Sequence, residues 1–226
     1  MNPRLPPLLS VPLFCYLREM ELLLATGNPH KREEFARIFR GHRLLLPADR
    51  GVRFDHEETG ASFLENALGK ARALRALLSR SDAEGMPILA DDSGLAVAAL
   101  GGEPGVYSAR YGRQERGRDL SDGERNLFLL ERMAALEDRR ACFVCALVLL
   151  LDENRIYAAQ ETLPGLVGRE PRGEGGFGYD PLLVLPHRGR TVAQLTPEEK
   201  DLLSHRGKAA RALLAVVEHH LSGRTA

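Results

Sequence analysis

Alternating strand-like and helix-like segments limit the folds open to this 226-residue chain more than any other feature. Short apolar runs of strand length are separated by longer segments with helical periodicity and capping signals. Two of the strand-like runs, Arg140–Leu151 and Arg155–Gln160, are joined by Asp-Glu-Asn and predict a hairpin. Helices interleaved with strands, together with one hairpin, predict an α/β protein built on a mixed sheet.

The segments follow one another without an internal repeat, a low-complexity tract or a linker. Residues 20–222 are therefore predicted to form a single domain, with tails at 1–19 and 223–226. The other predicted strands are Glu21–Ala25, Arg43–Leu46, Pro87–Ala90 and Leu182–Leu185. The predicted helices are Lys31–Phe39, Phe63–Arg80, one from the capping box at Ser121 to Leu136, one capped by Thr196, and Arg206–Leu221.

Residues 1–19 carry a short apolar stretch that is broken by Pro6, Pro7 and Pro12. A signal peptide needs an uninterrupted apolar segment and a small-residue cleavage site, and neither is clear here. No segment approaches the roughly 18–20 apolar residues of a membrane span. We expect residues 1–19 to be a dispensable tail.

The charge balance and the cysteines restrict the function classes. Lys plus Arg equals Asp plus Glu, at 31 each, which argues against nucleic-acid binding through a basic surface. Three cysteines, Cys15, Cys142 and Cys145, predict a reducing, cytoplasmic compartment without a disulfide framework. Cys142 and Cys145 lie in an apolar strand-like run, which favours core packing over a redox or metal site.

The first candidate site residues follow the first predicted strand. The turn Thr26-Gly27-Asn28-Pro29-His30 leads into a helix, and Lys31 adds a positive charge there. Backbone N–H groups at a strand–helix junction favour a bound anion such as phosphate. A tight turn with a solvated lysine would give the same pattern, and the motif is not a P-loop.

Two acidic clusters form the second candidate. Glu57 and Glu58 precede a predicted helix, and Asp91 and Asp92 are predicted at the end of a buried strand. Mg²⁺ binds through one or two carboxylates plus substrate phosphates, and a nearby carboxylate can deprotonate a water. Helix capping and an Asp-Ser-Gly turn are the alternatives.

Two further segments present groups suited to a nucleobase. The loop Gly173–Asp180 contains a literal G-x-G-x-x-G, but a strand-like run follows it, so it is not a dinucleotide fingerprint. The loop offers the aromatic ring of Phe177 for stacking on a base, with core packing as the alternative. Lys200 and the sequence Ser204-His205-Arg206 supply donors for phosphate or a base carbonyl. The alternative for Ser204-His205-Arg206 is a simple helix cap.

Taken together, these segments resemble the inosine triphosphate pyrophosphatase family, also called XTP/dITP diphosphatases. The matching stretches span residues 20 to about 215 in the family's order: LLLATGNPHKREEF, EETGASFLENALGKARAL, ILADDSGLAVAALGGEPGVYSARYG, GGFGYDP and LTPEEKDLLSHRGKA. The resemblance implies an α/β fold with a long central mixed sheet, flanking helices and two lobes around an active-site cleft. It also implies a homodimer, and hydrolysis of ITP, dITP or XTP to a monophosphate and pyrophosphate.

The resemblance implies roles for individual residues. Thr26, Gly27, Asn28, Pro29, His30 and Lys31 would hold the triphosphate; Glu57 and Asp92 would bind Mg²⁺, with Asp92 the proton acceptor for the attacking water; Ser93 and Lys200 would contact substrate; and Phe177, Gly178, Tyr179 and Asp180, with His205 and Arg206, would form the base pocket. Two substitutions in supporting segments, AQLT for AELT and PLLVLP for PLFxxP, remove none of these residues.

The resemblance also suggests how the site would select a base. Hypoxanthine and xanthine present an acceptor O6, so donors from His205 or Arg206 would reject adenine, which presents a donor there. The alternatives are a broader nucleotide pyrophosphatase and a nucleotide sensor without turnover. The presence of the acidic residues argues against the sensor.

Overall fold

The computed structural model describes residues 20–78 and 86–222, so the predicted tails, Cys15 and the predicted helix end at Arg80 lie outside the described residues. The described chain builds one seven-stranded sheet with strand order β2-β1-β3-β4-β5-β6-β7. The strands are β1 (Glu21–Leu24), β2 (Arg43–Leu45), β3 (Ile88–Val97), β4 (Arg140–Asp152), β5 (Arg155–Val167), β6 (Leu183–Leu185) and β7 (Arg190–Thr191). β1 runs parallel to β2 and β3, and every later pairing is antiparallel, which confirms the predicted mixed sheet and hairpin.

Six α-helices flank this sheet within the described part of the chain. They are α1 (Pro29–Ile38), α2 (Phe63–Leu77), α3 (Arg113–Arg116), α4 (Asp122–Arg132), α5 (Pro197–Leu203) and α6 (His205–Ser222). α1 begins two residues before the predicted start because the Asn28 side chain accepts from the backbone N–H groups of His30 and Lys31. Pro29 then fits the first helical position, where no N–H is needed.

β4 explains how the helices attach to the sheet. Its side chains alternate between the two faces, as they must on a strand. Cys145, Leu147 and Leu149 pack in one cluster with Ala209 and Leu213 of α6. Ala146, Val148 and Leu150 pack in another cluster on the opposite face, together with α2 residues. Because both faces are covered, the β4 sequence is apolar almost throughout.

A third cluster covers the far end of the long strands β3, β4 and β5. It joins Leu95 and Phe143 of the sheet to Phe128 and Leu129 of α4 and to Tyr179. The first two clusters together form one of the two lobes expected from the resemblance, and this third cluster forms the other. The site lies where the lobes meet.

Three predicted boundaries differ from the structure by four residues or more. β3 continues past Ala90 to Val97, so Asp91 and Asp92 lie within the strand, paired with Leu147 and Ala146 of β4. α4 ends at Arg132 instead of Leu136. β5 extends to Val167 across Pro164, which is tolerated because β6 pairs only with Leu166 and Val167.

Cys145 packs in the core as predicted, whereas Cys142 is only half-buried. Cys145 is fully buried in the α6-facing cluster, and burial raises the pKa of its thiol to about 12. Cys142 and Cys145 are both free. No helix in residues 20–78 or 86–222 has the length and apolarity needed to cross a membrane.

Candidate active site

A cavity of about 640 Å³ lies between the lobes. It is bordered by the β1–α1 turn, by the segment that precedes α2, by the middle of β3, by the Gly-rich loop and by the first residues of α6. Of the sequence-predicted site residues, all except Glu57 line this cavity. They are Thr26, Gly27, Asn28, Pro29, His30, Lys31, Asp92, Ser93, Phe177, Gly178, Tyr179, Asp180, Lys200, His205 and Arg206.

Asp92 and Glu58 form the acidic side of the cavity. Asp92 is 4% exposed and accepts a hydrogen bond from Asn66 Nδ2 at 3.0 Å. Lys70 Nζ lies 2.6 Å from Glu58 Oε1 and 3.4 Å from Asp92 Oδ1, so both carboxylates contact one ammonium. Burial raises the pKa of Asp92; Lys70 opposes this shift, and the negative charge of Glu58 adds to it.

Glu57 is the one predicted residue that the structure places elsewhere. Burial alternates along residues 52–60, with even-numbered side chains half-buried and odd-numbered ones exposed. This two-residue period is that of an extended backbone, whose neighbouring side chains point to opposite sides. Glu57 therefore lies on the exposed side and Glu58 on the cavity side, and the acid that faces Asp92 is Glu58.

The donor set fits a magnesium ion that also binds the substrate. No group of three or more His, Cys, Asp or Glu side chains in the described ranges could enclose a metal by itself. Mg²⁺ does not require such a cage, because it commonly uses one or two carboxylates, several waters and substrate phosphates. The cavity supplies two such carboxylates, Glu58 and Asp92.

Asp91 occupies the opposite face of β3 from Asp92. It is 1% exposed, and Lys31 Nζ lies 2.9 Å from its Oδ2. Ser93 donates to the same oxygen at 3.2 Å, and Arg206 Nη2 donates to Ser93 Oγ at 2.9 Å. Burial opposes the charge of Asp91, but the cations Lys31 and Arg206 outweigh burial and hold its pKa well below the usual range.

Glu34 of α1 connects this face to the base side of the cavity. Its carboxylate is 5% exposed, contacts Lys200 Nζ at 2.5 Å and accepts a hydrogen bond from Arg206 Nη1. Lys200 also lies 2.5 Å from Asp180 Oδ2. Burial opposes the charge of Glu34, but Arg206 and Lys200 together lower its pKa.

The loop that carries Phe177 has a conformation at residue 176 that only glycine can adopt. A Cβ on Gly176, whose φ is +74°, would lie 2.0 Å from Asp180 Oδ2. That oxygen also accepts from the Phe177 backbone N–H at 2.8 Å. The Phe177 ring stacks on His30 with centroids 5.4 Å apart, and Lys200 Nζ lies 4.9 Å from the ring centroid.

Two buried side-chain nitrogens at the start of α6 have no hydrogen-bond partner among the described residues. Arg206 uses its terminal nitrogens on Glu34 and Ser93, while its Nε has no hydrogen-bond partner among the described residues. His205 stacks on Phe143 at 4.8 Å, and its Nδ1 likewise lacks a partner in the described structure. Burial and the neighbouring cation of Arg206 hold the His205 pKa well below its usual value, so the imidazole is neutral.

Similarity to known proteins identifies the family. A sequence profile of the Ham1 family matches residues 22–216, which is most of the chain. The chain belongs to the Ham1 family. The "dITP/XTP pyrophosphatase" of Thermus thermophilus is 52% identical over 202 residues, covering 88% of this chain and 92% of the relative. The Treponema denticola protein of the same name is 45% identical over 190 residues, with coverages of 84% and 94%.

Solved Ham1 structures share the fold. A HAM1 protein from Coxiella burnetii is 39% identical with a TM-score of 0.76, covering 88% of this chain and 99% of that one. The Ham1 protein of Staphylococcus aureus is 36% identical with a TM-score of 0.75 and the same coverages. The family and the α/β fold expected from the sequence are thereby confirmed.

Several residues of this Ham1 site were missed in the sequence, among them four polar ones that carry contacts. Glu34, Asn66 and Lys70 touch the predicted site residues, and Asp122 lines the cavity. Asn66 and Lys70 had a usable signal, because polar residues four apart on a helix share one face, and here that face is buried. Asp122 carried the same signal with Asn126, four residues further along α4, whereas Glu34 gave none, because its partners Lys200 and Arg206 lie far away in sequence.

The two adjacent glutamates allow a matched test of metal binding in this Ham1 protein. We expect Glu58→Gln to raise the Mg²⁺ concentration needed for half-maximal activity by about tenfold or more, because the candidate site would lose one of its two carboxylates. Glu57→Gln, on the exposed side, should change it less than twofold. Activity titrated with Mg²⁺ at saturating substrate measures both. A larger effect of Glu57→Gln would reverse the assignment.

His205 makes the stability of this Ham1 fold depend on pH. Its folded-state pKa is below the ordinary 6.5, so the unfolded chain binds a proton more readily, and stability is lost as pH falls below 6.5. Between pH 6.5 and 5.5 we expect the wild type to lose about 1 kcal/mol of unfolding free energy through this residue. Urea unfolding at both pH values should show a shallower loss in His205→Asn. Equal losses in both proteins would contradict the prediction.

Proposed function

We propose that this protein is a Mg²⁺-dependent nucleoside triphosphate pyrophosphatase that hydrolyses dITP, XTP and ITP to the monophosphate and pyrophosphate. One observation supports it most directly: a single cavity joins a carboxylate pair, a phosphate-side lysine and an aromatic ring flanked by buried donors. The names of the Ham1 relatives point to the same substrates.

The triphosphate would lie along the β1–α1 turn. Asn28 Oδ1 already accepts from the backbone N–H groups of His30 and Lys31, so the Lys31 ammonium is the group that this turn offers to the phosphates. Lys31 is held by Asp91 and is therefore oriented before substrate arrives. Such preorganisation reduces the entropy cost of fixing a long side chain on binding.

Hydrolysis would take place at the carboxylate pair. Glu58 and Asp92 would hold Mg²⁺, which neutralises phosphate charge and favours formation of a hydroxide nucleophile when bound. Asp92 accepts the proton of the attacking water, and Asn66 fixes the orientation of that carboxylate. The bridge between the α- and β-phosphates breaks, and the bridging oxygen leaves with pyrophosphate.

The base would stack on Phe177. His205 Nδ1 and Arg206 Nε lack hydrogen-bond partners among the described residues, and the Arg206 guanidinium lies 5.4 Å from the Phe177 ring centroid. An N–H of either side chain would pair with the O6 acceptor of hypoxanthine or xanthine. Adenine presents an amino donor at that position, so a donor would face a donor. Sites of this kind reject the mismatched base strongly because buried polar groups stay unpaired.

Product analysis tests the proposal. With Mg²⁺ and equal concentrations of ITP, XTP, ATP, GTP and dUTP, we expect pyrophosphate with IMP and XMP, and little turnover of ATP or GTP. Equal turnover of all five would indicate the broader pyrophosphatase. Orthophosphate release would contradict the cleaved bond, and saturable binding without product would indicate a sensor.

The homodimer and the cytoplasmic location are part of the same proposal. The dimer is implied by the family resemblance, and light scattering of the purified full chain would measure it directly. A reducing compartment agrees with the free thiols of Cys142 and Cys145. A monomer at micromolar concentration would contradict the oligomeric part alone.

A further inference from the structure

The loop that carries Phe177 needs support from outside itself. Four of the six residues Gly173–Gly178 are glycines. Glycine has the largest backbone freedom to lose, so such a loop is costly to hold in one conformation. Phe177 N–H donates to Asp180, which closes the end of the loop, and Gly175 N–H donates to the Ala193 carbonyl at 3.1 Å. The residue after Phe177 is fixed differently.

Both backbone groups of Gly178 are bound by side chains of α4. The Gly178 N–H donates to Asp122 Oδ2 at 2.6 Å, and its carbonyl accepts from Asn126 Nδ2 at 3.0 Å. Asp122 and Asn126 are one helical turn apart and therefore share a face of α4. They are more than 50 residues from Gly178 in sequence, so these contacts exist only in the folded protein.

The helix itself is firmly placed. Phe128 and Leu129 anchor α4 in the third core cluster, and a capping box at Ser121 and Glu124 fixes its first turn. Asn126 is 4% exposed. On the other side of Gly178, the Tyr179 hydroxyl donates to the Ser108 carbonyl at 3.0 Å. The loop next to Phe177 is thus attached to rigid elements by directional bonds.

We propose that Asp122 and Asn126 are positioning residues for base recognition: they hold Gly178 so that the Phe177 ring faces the cavity. Neither residue needs to touch the base. This inference rests on the proposed function, because it assumes that the base stacks on Phe177. Without the two contacts the glycine-rich loop would sample other conformations, and the base would lose its stacking surface while the phosphate contacts stayed in place.

Two product ligands separate these contributions. IMP carries base and phosphate, whereas pyrophosphate has no base. We expect Asp122→Ala to weaken IMP binding about tenfold, the size of one lost hydrogen bond, with pyrophosphate affinity within twofold of wild type. Asp122→Asn should restore most of the IMP affinity, because the amide oxygen can still accept from Gly178. Glu131→Ala, an exposed change on the same helix, is the control.

Amide hydrogen exchange over residues 175–180 provides a readout that does not depend on ligand. Exchange should be faster in Asp122→Ala than in Glu131→Ala or Asp122→Asn. Asn126→Ala should show the same pattern, and if it fails to fold, the half-exposed Asp122 still carries the test. Unchanged exchange, or equal weakening of IMP and pyrophosphate, would overturn the inference. Wild-type protein that does not bind IMP would refute the proposed function, and the exchange result would then decide the positioning role alone.

Discussion

Replacing Asp92 with asparagine is expected to lower kcat by about 10²–10⁴-fold, the usual contribution of a positioned acid or base. The change keeps the side-chain shape and an oxygen that can accept from Asn66, so the fold should persist. It removes the charge that would accept a proton from water. Steady-state kinetics with dITP, together with a thermal melt, measures the two effects separately.

Asp119→Asn is the matched control for this prediction. Asp119 is exposed and is not among the residues that line the cavity. Its loss should leave kcat within about twofold, as expected for a surface substitution. Near-normal turnover in Asp92→Asn would move the proton acceptor elsewhere, and Asp91, although buried and paired with Lys31, would be the next residue to test.

Removing the Glu34 carboxylate is expected to cost about 3–5 kcal/mol of unfolding free energy, because a partner is taken from buried charges. Arg206 and Lys200 each contact Glu34, and all three side chains are at most 7% exposed. Glu34→Ala would leave both cations with fewer negative partners. Urea unfolding of the variant and the wild type gives the difference.

Glu33→Ala tests whether the cost comes from burial. Glu33 precedes Glu34 on the same helix but is exposed, so its loss should change stability by less than about 0.5 kcal/mol. A loss below about 1 kcal/mol in Glu34→Ala would mean that Asp91 and Asp180 neutralise the two cations without it. Such a result would also weaken the account of how Lys200 and Arg206 are oriented.

The fold could be predicted from the sequence where local patterns agree with burial. The β4 run is apolar on both faces because α2 and α6 cover it, and that run predicted a buried strand. β3 was predicted too short because two acids stand in its middle. An unpaired charge is costly to bury, so the acids were taken as the end of the strand. Here Asp91 and Asp92 each find cations and remain in the ladder.

The sequence indicated which segments form the site better than it indicated which side chains face the cavity. The family resemblance brought together segments that the fold does place around one cavity. It did not fix which of Glu57 and Glu58 faces inward, because that depends on the register of an extended segment. Contacts such as Glu34 with Arg206 join residues 172 positions apart. No local pattern in a single sequence indicates a pair so distant.

Because Asp91 and Asp92 lie on opposite faces of β3, substitutions on one face can alter the protein without altering the contacts of the other face. Asp92 accepts a hydrogen bond from Asn66 of α2, whereas Asp91 pairs with Lys31 of α1 and Arg206 of α6. Substitutions on the α1 and α6 side can therefore retune which base is accepted without touching Glu58 and Asp92, the carboxylates proposed for hydrolysis. A one-residue insertion or deletion ahead of the pair would instead exchange the two faces and disable both functions together. Directed evolution of base preference should accordingly succeed through point substitutions on one side of the sheet and fail through length changes in this strand.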